Sequence, residues 1–181
     1  MFSKNNKGIS YIEFILVLAI MILLTGLVTV TMSIVNRNNV TKAADKVSTG
    51  INHAKTLSLS KGTNKGSITF VANGSNYYYY YGENENDKYL VCNSPCSMQI
   101  IVKGTSYSIT NNQKIKLKIS PTTGAFVGVD RILNGTTTSL VSSTDGTNGF
   151  SGVNRIVINN NRGKTANVDL NIHVGTVKVS Y

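Results

Sequence analysis

Residues Ile9–Val35 form an apolar stretch of 27 residues that carries one charge, Glu13. As a helix it would run about 40 Å at ~1.5 Å per residue, against a hydrocarbon core of roughly 30 Å. That is long enough to span a membrane with a turn or two to spare. The carboxylate near its start is the anomaly. An acid at the centre of a membrane helix costs about 2.5–3.5 kcal/mol on insertion scales and less near an end, so an intramembrane acid is a functional hypothesis by default.

The stretch is preceded by a short polar leader, Met1–Gly8, which carries Lys4 and Lys7. A secretory signal peptide has a shorter apolar core and a small-residue cleavage site after it. Here the apolar segment is too long, and the candidate processing point, Gly8, lies before it. Basic leader, Gly8, the apolar Ile9, Ser10, two further residues, Glu13 and then an apolar run: this constellation resembles the class III leader of type IV prepilins and pseudopilins. The resemblance implies that a prepilin peptidase cuts between Gly8 and Ile9 and methylates the new amine of Ile9. It also implies a pairing in which Glu13 of one subunit neutralises the Ile9 amine of a neighbour, so that two desolvation costs are offset together. Two features depart from the family pattern. The first mature residue is Ile rather than the usual Phe, and the helix-bending Pro is absent, with Thr25-Gly26 as the place where the helix could loosen.

Beyond Val35 the helical period continues. Val40, Ala43, Ala44, Val47, Ile51, Ala54 and Leu57 recur at i, i+3, i+4 and i+7, with Lys42, Asp45, Lys46, Asn52 and Lys55 between them. The pattern predicts an amphipathic continuation of the same helix, with Gly50 and the polar Asn36–Asn39 stretch as weak points and Lys61-Gly62 as the stop. From Gly66 the period switches to two. Ser67–Ala72 and Asn76–Tyr81 read as a hairpin around Asn73-Gly74. Lys88–Cys92, Ser97–Lys103, Tyr107–Thr110, Lys114–Ser120, Gly124–Val129, Asn154–Asn159, Asn167–Val174 and Thr176–Tyr181 read as further strands. Leu133–Phe150 reads as a long loop with one short strand, Ser139–Ser142.

The expected fold class is α+β: a long N-terminal α-helix, half membrane segment and half amphipathic, packed on an antiparallel β-sheet head. The expected divisions are a cleaved leader at 1–8, a transmembrane or filament-core helix at 9–35, its amphipathic continuation at 36–62 and a β-rich head at 63–181. The segment from Ile51 to Ser58, the strands after it and the closing strand from Gly175 to Val179 resemble the H-type minor pseudopilins and related minor pilins.

Several residues outside the leader are candidates for function. Cys92 and Cys96 lack the four ligands of a structural zinc site. In an exported domain a local disulfide pinning a hairpin or turn is expected, with free thiols as the alternative. In Tyr77–Tyr81, residues Tyr77, Tyr79 and Tyr81 share one strand face and Tyr78 and Tyr80 the other. One set is expected under the sheet and the other half exposed, with Tyr77, Tyr79 and Tyr81 as candidate ligand contacts. Lys114, Lys116 and Lys118 form a basic stripe opposite Ile115, Leu117 and Ile119; protection of a sheet edge explains it as well as DNA contact does. The segment Gly82–Asp87 holds Glu83, Glu85 and Asp87 but lacks the EF-hand ligand pattern, and reads as a solvated loop.

The formal charge is +10, and loss of the leader leaves 16 basic against 8 acidic residues, a net +8. Such a surface suits DNA, anionic lipid or acidic wall polymers, or is simply solvated. His53 and His173 have no nucleophile context, and no P-loop, G-x-S-x-G or H-E-x-x-H is present, so the chain reads as a non-enzyme without cofactor or metal. The expected role is a structural, minor subunit of a type IV pilus or related secretion-type filament. It would reside in the bacterial cytoplasmic membrane before assembly and in a cell-surface filament after it. Its expected partners are other pilin subunits, the prepilin peptidase and an inner-membrane assembly platform. The alternatives are a single-pass anchored surface domain that never assembles, or a competence-type pseudopilin that binds DNA.

Overall fold

The structure, a computed structural model, describes residues 11–142, 154–160, 163–171 and 175–181, with the side chains of residues 27–37, 63, 64, 142 and 154 outside the description. Gly8 and Ile9, and with them the expected cleavage point, lie outside the described residues. The chain divides into two compact units, one ending at Arg37 and one running from Asn38 to Tyr181.

Helix α1 (Tyr11–Lys61) contributes to both units. In the first unit every described side chain from Tyr11 to Gly26 is exposed, including Ile12, Phe14, Leu16, Met21 and Leu23.

The expected fold class is corrected at this point. The described residues are mostly antiparallel β-sheet, and among them no helix is long and apolar enough to cross a membrane. The apolar segment with described side chains is 16 residues. That is about 24 Å of helix, short of the roughly 30 Å hydrocarbon core. Ile9 and the side chains from Leu27 to Val35, which completed the expected span, lie outside the described residues.

In the second unit the stripe read from the sequence is the buried side of the helix. Val40, Ala43, Ala44, Val47, Ile51 and Ala54 are all buried, and only Leu57, at the end of the stripe, is half-exposed. The helix stops where Gly62 enters positive φ and its amide donates to the Ser58 carbonyl at 3.0 Å. A single turn, α2 (Thr63–Gly66), leads into the strands.

Six strands make the first sheet: β1 (Ile68–Asn73), β2 (Asn76–Tyr81), β3 (Tyr89–Asn93), β6 (Gln113–Ile119), β7 (Phe126–Leu133) and β8 (Thr136–Ser142), in the order β3-β2-β1-β6-β7-β8. The second contains β4 (Cys96–Val102), β5 (Thr105–Ser108), β9 (Asn154–Asn160), β10 (Thr165–Asn171) and β11 (Thr176–Ser180), in the order β11-β10-β9-β4-β5. All pairings are antiparallel. The hairpin forms between the two expected strands, but its central residues are Gly74 and Ser75 rather than Asn73-Gly74: Asn73 is the last residue of β1 and pairs with Asn76, and Gly74 supplies the positive φ. Strand β8 is longer than expected: Thr136–Ser142 pairs along β7, where the sequence reads mainly as loop. Threonine and serine give no apolar alternation there, and pairing to β7 supplies the order instead.

One buried cluster joins the helix stripe to the inner faces of both sheets. Ile68, Phe70, Ile115 and Leu117 come from the first, and Ile100, Ile156, Ile158 and Val168 from the second. Backbone meets backbone at one junction. A Cβ on Gly175, which has φ +64°, would lie 2.0 Å from the Gly124 carbonyl, so a side chain there is excluded. Lys55 closes the same place, its stem against Gly124 and its ammonium donating to the Gly175 carbonyl at 3.4 Å.

Gly50 sets the approach of the helix to the first sheet. A Cβ at position 50 would fall 2.7 Å from the Tyr79 ring. Tyr79 is buried, with Phe70, Tyr81 and Tyr89 around it, so yielding would displace these rings as well. Alanine favours a helix over glycine by about 1 kcal/mol, but overpacking a filled core costs about 1–3 kcal/mol. Gly50→Ala is therefore expected to lower the denaturant midpoint; a raised midpoint would show that propensity wins and that the ring can move.

Candidate functional site

The tyrosine run divides between two environments. Tyr79 is buried on the inner face against Phe70 at 6.3 Å between ring centroids. Tyr81 leans on Tyr79 at 5.5 Å and on Tyr89 at 5.4 Å, and meets the His53 ring edge-on at 5.0 Å. Tyr89 stacks on Tyr79 at 5.3 Å with an interplanar angle of 17° and is 48% exposed. These rings form a partly exposed aromatic platform at the junction of β2, β3 and α1. Tyr77 stands apart from it, opposite Cys92 in the β2–β3 register. The sequence named Tyr79 and Tyr81 but missed His53 and Tyr89, which sequence spacing does not connect to the run.

The expectation that one set of tyrosines packs and the other is half exposed is corrected. Tyr79 and Tyr80 are both buried although they point to opposite faces, and Tyr77, Tyr78 and Tyr81 are half-exposed. Tyr80 is buried because the segment after β2 returns over it, its hydroxyl donating to Glu85 Oε1 at 3.1 Å. Burial first, and the Glu85 charge second, push the Tyr80 phenol up to about 12. Burial also pushes the Tyr81 phenol up, reinforced by its hydrogen bond with Tyr79. Glu85 is held below its ordinary range, chiefly by its hydrogen bond from Lys114.

The lysine stripe is not a free basic surface. Lys114 pairs with Glu85, and Lys118 Nζ reaches the buried Asp130 at 2.6 Å. Lys116 lies opposite Asp130 in the β6–β7 register. Edge protection does not explain the stripe, because β6 lies between β1 and β7 inside the sheet. The outer face is better described as a row of lysines matched by two carboxylates from β7 and from the segment after β2.

Cys92 and Cys96 form a disulfide. It pins the turn at Ser94-Pro95, as expected, but that turn does not close a hairpin: Cys92 belongs to β3 of the first sheet and Cys96 to β4 of the second. The bridge fastens the crossover between sheets. Glu13 lies exposed in the first turn of α1, and His173 lies outside the described residues. Among the described residues no group of three or more His, Cys, Asp or Glu is placed to hold a metal ion.

A groove of about 520 Å³ opens beside the platform, lined by Leu57 and Lys61 of α1, Lys65 of α2, and Tyr81 with the residues that follow it, Glu83 among them. It combines an apolar floor with cationic and anionic rim groups, the mixture typical of small-molecule sites of this size.

Compared with protein-family models, with curated proteins and with solved structures, the chain finds no match.

Two measurements probe this region. Neutral Tyr80 contributes stability that is fully present below the ordinary phenol value of 10.0 and is lost as pH rises through about 12. The expected decline is about 1.4 kcal/mol per pH unit per tyrosine across that window. Denaturation followed from about pH 10 to 12 should show this slope, and Tyr80→Phe should flatten it without abolishing it, since Tyr81 also resists ionisation. Independently, Cys92→Ser with Cys96→Ser should cost about 2 kcal/mol for so short a loop. An unchanged thermal midpoint for the double variant would mean that the inter-sheet crossover holds without the bridge.

Proposed function

We propose that the chain is a minor structural subunit of a type IV pilus-like or secretion-type filament, processed after Gly8 and assembled through its N-terminal apolar segment. The observation that carries this reading is the exposed surface of α1 from Tyr11 to Gly26. Tyr11, Ile12, Phe14, Ile15, Leu16 and Val17 occupy nearly successive positions, so apolar side chains surround the helix. Packing against a single neighbouring surface leaves part of such a helix in water. Lipid or a bundle of like helices covers all of it.

Before assembly the segment is held in the lipid of the bacterial cytoplasmic membrane; after it, the domain from Asn38 onward is displayed at the cell surface. Prepilin peptidase, the assembly platform and sibling subunits are the partners in this scheme. Glu13 supplies the check on register. Beside the Ile9 amine of a neighbour it is neutralised, whereas in a mis-stacked helix both charges remain in an apolar environment.

A non-assembling anchored domain would satisfy the same apolar surface with lipid alone. The mass of the mature N-terminus separates the two. Methylated Ile9 as the first residue is expected, and retention of Met1–Gly8 would exclude filament processing. Glu13→Ala is expected to leave cleavage intact and reduce incorporation into sheared filaments by an order of magnitude or more; unchanged incorporation would end the pairing argument.

A further inference from the structure

We propose that the groove floored by Tyr81 and Leu57 binds a saccharide bearing a carboxylate, with Lys61 and Lys65 receiving the charge. The inference goes beyond filament assembly and does not depend on it.

The floor comes first. A pyranose ring presents C–H bonds on one face and hydroxyls around its rim. The C–H face carries partial positive charge and packs on the negative face of an aromatic ring. The Tyr81 ring is held in place by Tyr79, Tyr89 and His53 at 5.0–5.5 Å. A platform already immobilised loses little entropy when a ligand settles on it. Leu57 extends the floor, because it is the one stripe residue that the core does not fully bury.

The rim fixes the charge of the occupant. Lys61 and Lys65 form no ion pair among the described residues, whereas Lys114 and Lys118 are matched by carboxylates. Glu83, on the same rim, can accept hydrogen bonds from sugar hydroxyls. Lys61 and Lys65 against Glu83 leave the groove lining with an excess of one positive charge, which a single carboxylate on an otherwise neutral sugar matches.

The test uses the full chain in detergent and a hyaluronan tetrasaccharide, in which uronate alternates with a neutral sugar. Tetra-N-acetylchitotetraose serves as the neutral comparison and a short oligothymidylate as the nucleic acid comparison. Titration followed by tyrosine fluorescence is expected to show saturable binding of the uronate sugar, weakened by salt. Tyr81→Ala should weaken it about tenfold, the loss of one stacked ring. Tyr81→Phe, which keeps the ring, should bind within about twofold of the parent. Lys61→Gln with Lys65→Gln, both at exposed positions, should weaken binding about fivefold and reduce the salt dependence. Equal binding of tetra-N-acetylchitotetraose would overturn the assignment of charge, tighter binding of oligothymidylate would make the groove a nucleic acid site, and no binding of the uronate sugar at millimolar concentration would overturn the proposal.

Discussion

Burial of the helix stripe from Val40 to Ala54 is the contact on which the rest of the domain depends. Both sheets contribute inner faces to the cluster that contains it. The stripe is built from small and branched residues. Ala43, Ala44 and Ala54 let the backbone come close, while Val47 and Ile51 fill the volume between. Close-packed interiors penalise both voids and excess volume, so the spacing of helix and strands is set to within a methyl group. The flanks are fastened by polar contacts: Lys46 donates to the Leu90 carbonyl at 3.1 Å and the Tyr181 hydroxyl to Asp45 at 2.6 Å.

Charge is managed differently on the two sides of the first sheet. The inner side is apolar. The outer side places Lys114 and Lys118 against Glu85 and Asp130, so a basic chain carries its excess elsewhere. Asp130 is the costly member, since it is buried and its Oδ1 has no hydrogen-bond partner. An unmatched buried oxygen of this kind is tolerated when its charge is held by a close cation. The half-exposed Lys118 provides that while keeping its stem over the sheet.

What the sequence made legible is what short periods encode. The stripe at helical spacing, the β1–β2 hairpin (its turn displaced by one residue to Gly74-Ser75) and the alternation from Ile115 to Ile119 each depend on residues a few positions apart. The fold class was not legible in the same way. The long apolar run is the strongest local signal, whereas the second unit is decided by the eleven strands among the described residues, of which Thr136–Ser142 has no apolar rhythm. The disulfide and the turn it closes were anticipated but the passage between sheets was not, because C-x3-C cannot say whether two strands belong to one sheet or two. The candidate site was half visible. Tyr79 and Tyr81 stood out as part of a run, while His53, Leu57 and Tyr89 reach them from other elements, and only the fold brings those positions together.

Gly50 has a wider reach than its place in a helix suggests. The Tyr79 ring occupies the space where its side chain would be, Tyr89 stacks on that ring, and Tyr81 rests against both. A hydrogen atom on the helix thus acts as the datum from which the outward aromatic surface is measured. Homologous chains that differ at this one position would present differently placed rings to the outside while keeping the same strands, so variation in what the surface meets can originate beneath it.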